Sequence, residues 1–222
     1  MISAVQKEKN FEVTTEAKDK FTGRKLLLST GLRDKILPIP GMAECWGRSA
    51  FHCPFIRGYE VAGKSLGVLV LNEEEISAVI HIYHLSKDLK IFTNGPSNIS
   101  PEWIEKFEKK GIAIIQSEIE AIEHENGQMK HLILKDGSKH ALDAFFPRPS
   151  AEQHSIIPKE LGCIIDEKGL IQVDEFSRTS VPGVCATGDN TVTFRSLATT
   201  IGGGTNSAAV IVKELVEENF SM

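Results

Sequence analysis

The sequence predicts an α/β protein of two related units, one inserted into the other, with the first unit incomplete. Three observations carry this reading. A strand–strand–turn–strand pattern occurs twice, at residues 1–31 and 117–147, with the same length and order. A strand–helix–strand run leads into the second copy. The first copy has no such approach, because the chain opens on it.

In the first copy, ISAVQKEKN, FEVTTEAKDKFTG and the apolar KLLLSTG are separated by polar turns, and FEVTT alternates with period two, as half-buried strands do. KSLGVLVLN is a strongly apolar strand, EEEISAVIHIYHLS an amphipathic helix and KDLKIFTNG a second strand. SPEWIEKFEKKG follows as a helix framed by Ser100 as N-cap, Pro101 in its first turn and Gly111 as its stop. GIAIIQS adds another strand. An apolar strand followed by helix and strand describes a βαβ unit in a parallel sheet with a right-handed crossover. SEIEAIEHENG, QMKHLILKDGS and KHALDAFFP repeat the meander.

GLIQVDEFSRTSVPGVCATGDN reads as strand, turn, strand, ending on a Gly188–Asp189 corner. A long C-terminal helix follows, with Ala208, Ala209, Ile211, Val212 and Leu215 expected along one apolar side. Residues 1–44 and 148–222 are therefore expected to form one domain, with 45–147 inserted into it. A βαβ lead-in takes about 30 residues or more, so the first domain is expected to lack one.

Composition narrows the function classes. The chain has 222 residues, 41% hydrophobic and 25% charged, an ordinary balance for a globular protein. Its net charge of -5 is spread along the chain, which argues against a nucleic-acid or anionic-membrane partner. No apolar run approaches the roughly 20 residues of a membrane span. MISAVQKEKNFEV lacks the apolar core of a secretory signal, so a cytoplasmic location is expected. Cys45, Cys53, Cys163 and Cys185 form no C-x-x-C pair, and no histidine stands at ligand spacing from them, so no metal site is expected. Three of these thiols read as small buried hydrophobes. Cys53 lies in HCPFIRGYE, between His52 and Arg57.

The layout resembles the low-molecular-weight thioredoxin reductases and their flavoprotein relatives, on KLLLSTGLRDKILPIPG, WGRSAFHCPFIRGYE, TSVPGVCATGDN and GGGTNSAA. The resemblance implies a three-layer ββα architecture of two dinucleotide-binding domains. Residues 1–44 and 148–222 would be the FAD-type domain, and 45–147 the NAD(P)-type domain. It implies that Asp189, on the corner with Gly188, bonds the ribityl chain of FAD. Thr30 and Gly31 would pack near the cofactor, and the backbone at Arg195, Ser196 and Leu197 would lie near the pyrimidine edge of the flavin. A helix N-terminus suits the negative charge gained on flavin reduction. Cys53 would be the first cysteine of the redox pair.

Three departures from the pattern shape the functional expectation. The glycine-rich turn that holds the FAD pyrophosphate in this family has no counterpart in the sequence, so FAD is expected to be held less firmly. Where the nicotinamide nucleotide would need small residues, LGVLVLNEEEIS has Val70, Asn72 and Glu75. Glu73, Glu74 and Glu75 there would oppose a pyrophosphate, each by about 1 kcal/mol even at high dielectric. IFTNGPSN also lacks an arginine cluster for a 2′-phosphate, so NAD(P)H is not expected as a partner. Ile56 stands where the second sulfur would be, so no dithiol relay is expected. Cys53 is then either a packing residue or a single thiolate activated by His52 and Arg57. Three functions stay open: an oxidoreductase of this family without normal NADPH-dependent activity, a non-catalytic relative, or a single-cysteine peroxide or thiol sensor at Cys53. The second would use a homo-oligomer or protein partner to cover the incomplete first domain.

Overall fold

A computed structural model describes residues 2–221. Met1 and Met222, the outermost residues of the expected first domain, lie outside the described residues. The chain divides into two compact units: residues up to Asp34 with those from Ala151 onward, and Lys35–Ser150.

The chain opens with β1 (Ser3–Lys7), β2 (Asn10–Thr14) and β3 (Lys20–Gly23), an antiparallel meander in that order, followed by β4 (Leu26–Leu28) and β5 (Leu32–Asp34). Ala4 and Phe11 turn inward from the meander to a core that includes Leu28, Ile157, Val184 and Ala186.

The second unit holds α1 (Met42–Cys45), α2 (Pro54–Arg57), β6 (Leu66–Leu69), α3 (Ile76–Leu85), β7 (Leu89–Phe92), α4 (Pro101–Lys109) and β8 (Ala113–Ile115). Then come β9 (Ile119–Glu125), β10 (Gln128–Leu134), β11 (Lys139–Ala141) and β12 (Ala144–Phe146). A parallel sheet runs in the order β12-β6-β7-β8, and β11-β10-β9 forms a separate antiparallel sheet. Successive strand residues point to opposite faces. Val68, Ile91 and Phe146 therefore pack with Val79, Ile82 and Phe107 of the helices. Leu69, Phe92 and Phe145 pack with Met129, Leu132 and Leu134 of the antiparallel sheet. These are the three layers expected of the unit.

Local expectations need correcting here. Residues 35–44 pack with the insert, because Leu37, Ile39 and Met42 join the cluster of Leu132 and Phe145. Ser100 occupies the N-cap position of α4, but its side chain makes no cap bond. Its backbone N–H instead donates to Glu73 Oε1 at 2.7 Å. The helix expected from Glu73 begins as a 3-10 turn over Glu73–Glu75.

The chain returns through β13 (Ala151–Gln153), antiparallel to β5, then α5 (Ile157–Glu160), β14 (Val184–Ala186), parallel to β4, and α6 (Leu197–Phe220). The strand expected at GLIQV is reduced to an isolated bridge between Ile165 and Ile171. Asp166 Oδ1 accepts from the amides of Lys168 at 2.9 Å and Leu170 at 2.8 Å, a side-chain turn that competes with the ladder.

The inward face of α6 also differs from expectation. Ile211 and Leu215 are half-buried, but Ala208, Ala209 and Val212 are exposed, and Ser207 is the fully buried position. Small residues and ion pairs seat this helix, in place of a broad apolar face. A Cβ on Gly203 would stand 2.4 Å from Thr187 Oγ1, so close approach there requires glycine. Further along, Lys25 meets Glu214 at 3.0 Å and Glu218 at 2.5 Å, and Arg178 meets Glu214 at 2.6 Å. The Arg178 and Lys25 bonds hold the Glu214 carboxyl below its ordinary range. A depressed folded-state value stabilises above the unfolded carboxylate pKa, and that contribution fades as pH falls through the folded value. The melting-temperature gap between wild type and Glu214→Gln, present at neutral pH, should therefore close on acidification below the carboxylate range.

Candidate functional site

In the first unit, the expected cofactor residues gather at the carboxyl ends of two parallel strands, a usual position for ligands in α/β folds. β4 and β14 pair Leu26 with Val184 and Leu28 with Ala186, and the Thr187 amide donates to Leu28 O at 3.0 Å. Thr30 and Gly31 therefore leave one strand beside the Gly188–Asp189 corner leaving the other. Gly188 has φ +91°, and Gly31 φ +67°, backbone settings that favour glycine. Thr200 Oγ1, in the first turn of α6, donates to Asp189 Oδ1 at 3.4 Å.

Ser196 caps α6 by accepting from the Thr199 amide at 3.2 Å. Helix geometry gives the Leu197 and Ala198 amides no intrahelical acceptor, leaving donors at the positive end of a 24-residue helix. Leu197 is 76% exposed. Arg195 pairs with Asp34 at 3.1 Å, which ties the approach to α6 back to β5.

Two residues that the sequence reading passed over complete this corner. Asn190 is fully buried, its Nδ2 donates to Leu28 O at 3.2 Å, and its backbone carbonyl accepts from Gln153 Nε2 at 3.1 Å. Among the described residues, Thr30 Oγ1, Gln153 Oε1 and Asn190 Oδ1 are buried without a hydrogen-bond partner. Each such group costs about 1–3 kcal/mol unless a ligand or water satisfies it. Asn190 could have been flagged from its place after GD; Gln153 carries no comparable signal.

In the second unit, Cys53 is half-buried just before α2, and the Ile56 amide donates to its carbonyl at 3.3 Å. The neighbours that could activate it have other contacts. His52 stacks on Trp46 with ring centroids 6.2 Å apart, and Arg57 reaches Glu60 at 3.5 Å. Cys45, Cys163 and Cys185 are buried, and burial pushes all three thiols up.

The turn after β6 shows how the acidic run is used. Glu75 Oε2 accepts from the Leu71 amide at 2.6 Å. Glu73 accepts from the Ser100 backbone, and the Ser100 hydroxyl is the larger cause holding its carboxyl below the usual range. A cavity of about 590 Å³ lies beside this turn, and its lining includes Glu74, Glu75, Lys35 and Arg148. Among the described residues, no helix is long and apolar enough to cross a membrane, and no cluster of three or more His, Cys, Asp or Glu is placed to hold a metal.

Parallel strands ending at a glycine–aspartate corner, and a second three-layer unit carrying a Cys-Pro loop, define a two-unit pyridine-nucleotide oxidoreductase scaffold. The chain belongs to the pyridine nucleotide-disulphide oxidoreductase family, whose model matches residues 1–204. It is 30% identical over 205 residues to thioredoxin reductase tcpT of Claviceps purpurea, covering 88% of this chain and 63% of that protein. It is also 30% identical over 218 residues to thioredoxin reductase sirT of Leptosphaeria maculans, covering 91% and 66%. The chain thus spans just under two thirds of the length of these relatives. A candidate thioredoxin reductase of Bacillus anthracis superposes with a TM-score of 0.92 at 26% identity, over 98% of this chain and 74% of that one.

Proposed function

We propose that the chain is a thioredoxin reductase-related flavoprotein unit that cradles the flavin side of FAD and does not run a dithiol relay from NADPH. The observation that carries the second half is Ile56. Its amide bonds the Cys53 carbonyl across one turn of the loop, so an isoleucine stands where a second sulfur would be, and the other three thiols are buried. Two sulfurs in reach of each other are the minimum for passing an electron pair to a disulfide substrate.

The corner of the first unit suits FAD. Asp189 would bond the ribityl chain, the region of Thr30 and Gly31 would pack against the cofactor, and the backbone at Arg195, Ser196 and Leu197 would meet the pyrimidine edge. The unpartnered buried oxygens of Thr30, Gln153 and Asn190 are the kind of groups a polar cofactor satisfies. FAD, when bound, supplies two-electron transfer. NAD(P)H is disfavoured in the usual pose because Glu75 already accepts from the Leu71 amide, where the turn would otherwise offer donors to a phosphate. Four cysteines outside any disulfide fit a reducing, cytoplasmic setting.

The test is reconstitution. Purified protein incubated with FAD and passed through gel filtration should carry flavin absorbance near 450 nm, and Asp189→Ala should carry less. With NADPH it should reduce neither a thioredoxin nor a chromogenic aryl disulfide. Sustained NADPH-dependent disulfide turnover would overturn the proposal.

A second reading, a non-catalytic relative that works through association, is favoured by one observation. Leu197, Ile201, Val212, Val216 and Phe220 are 59–93% exposed along α6, a run of apolar surface that ordinarily finds a partner. Light scattering showing a concentration-independent monomer would remove it.

A further inference from the structure

We propose that the groove between α3 and α4 binds a single-headed amphiphilic anion: an apolar chain or ring body ending in a carboxylate. The inference does not depend on any cofactor in the first unit. Both helices cross over on the same face of one parallel sheet and so run in the same direction. Between them lies a cavity of about 800 Å³, floored by Phe107 and walled by Ile80, Tyr83 and Trp103. That volume is in the range of small-molecule sites, roughly 300–1,000 Å³.

Lys87, Lys106, Lys109 and Lys110 line the groove, Lys106 lies over the Trp103 ring at 4.3 Å, and Lys87 and Lys110 share Tyr83. Lys87 Nζ lies 3.9 Å from the Tyr83 ring centroid, and Lys110 Nζ lies 5.5 Å from the same ring. The neighbouring rim lysines are neutralised within their own helix, Lys106 by Glu102 at 2.6 Å and Lys109 by Glu105 at 2.5 Å. Among the described residues, Lys87 and Lys110 have no carboxylate within ion-pair distance. A favourable helix dipole accounts for cations near a C-terminus. For Lys87 the dipole is joined by a hydrogen bond, its ammonium donating to the Tyr83 carbonyl at 2.7 Å, whereas Lys110 reaches the same ring from the other helix.

Beside Tyr83 the groove offers apolar surface. Phe55 of α2 packs tilted against His81 with ring centroids 5.3 Å apart, two residues before the Tyr83 on which the Lys87 ammonium sits. Phe55 is 69% exposed and Ile80 52% exposed. A headgroup at Tyr83 would supply the carboxylate that Lys87 and Lys110 lack, while the tail covers Ile80, Trp103 and Phe55. An acidic helix would want cations along the whole length of both walls. The two lysines without a carboxylate share a single ring, which favours a ligand with one head.

Trp103 provides the readout, since the chain has two tryptophans and Trp46→Phe leaves Trp103 alone. Dodecanoate, dodecanol and dodecyltrimethylammonium, each kept below its micelle concentration, should be titrated against the full chain. Dodecanoate should change Trp103 emission saturably, and the other two should bind at least about tenfold more weakly. Lys87→Gln with Lys110→Gln should weaken dodecanoate by about tenfold or more and leave dodecanol unchanged. Ile80→Asp should weaken both. Lys64→Gln with Lys168→Gln serves as the charge control. Lys64, Ile80, Lys87, Lys110 and Lys168 are exposed and Trp46→Phe keeps an aromatic ring at a half-buried position, so the fold should tolerate each change, checked by circular dichroism. Equal response to the three headgroups, indifference to the Lys87/Lys110 change, or absence of saturation would overturn the proposal. So would preferential binding of an acidic amphipathic peptide, or dodecanoate-sensitive dimerisation, which would seat a protein partner or a second copy in the groove.

Discussion

Phe145→Ala should destabilise the Lys35–Ser150 unit by about 3–5 kcal/mol, the usual cost of truncating a fully buried phenylalanine. Phe145 is 0% exposed on β12 and packs in the layer between the parallel and antiparallel sheets. Its ring meets Phe92 edge-on at 6.0 Å. Its backbone is pinned on both sides, by its amide to Ser49 O at 2.8 Å and by Phe51 N to its carbonyl at 2.9 Å, so the surrounding chain cannot easily collapse into the space left. A loss of that size is a large share of the 5–15 kcal/mol typical of a domain. Urea unfolding followed by tryptophan emission reports this unit specifically, because both tryptophans lie within it. A midpoint unchanged from wild type would mean that the two sheets are not cemented at this residue.

Ile56→Cys should convert a chain with one accessible thiol into one that closes a disulfide between neighbouring turns. Cys53 is the N-cap residue of α2 and Ile56 lies in its first turn, and the Ile56 amide bonds the Cys53 carbonyl at 3.3 Å, which holds the two residues together across that turn. Ile56 is 59% exposed, so the exchange disturbs no core. Mild oxidation with diamide removes one hydrogen from each thiol, forms the S–S bond and leaves the reagent as its hydrazine. Native thiol titration should read one group in wild type, two in the reduced variant and none after oxidation, with dithiothreitol restoring two. Two free thiols surviving oxidation would show that HCPFIRGYE keeps the sequence of a redox loop without its geometry.

The elements with a strong period were legible before any coordinates. The two meanders, the apolar β6 and the helices α3 and α4 follow from alternation and capping residues. What escaped was decided by contacts distant in sequence. The seat of α6 is made by Gly203, Ser207 and the ion pairs of Glu214, which a search for apolar stripes passes over. GLIQV has strand composition, yet Asp166 captures its amides locally. Residues 35–44 look like a continuation of β5 until Met42 is seen beneath the antiparallel sheet. For the site, the glycine–aspartate corner was written in GDN, whereas the buried oxygens of Thr30 and Gln153 meet only through the fold. The acidic run after β6 was visible as charge; that Glu75 turns back onto the Leu71 amide was not. Tyr83 and Lys110 are separated by two elements, so their convergence could not be read from order alone.

The junction between the units has a practical consequence. Lys35 N bonds Ser150 O at 2.8 Å, and one residue outward Asp34 stands opposite Ala151 in an antiparallel ladder. Entry and exit of the inserted stretch are therefore a single peptide-width apart. Deleting 35–150 and bridging Asp34 to Ala151 with an Asn-Gly pair should leave an ordinary two-residue hairpin. Modularity of that kind makes the excised segment a portable part that can be grafted, circularised or exchanged for another at one stitch.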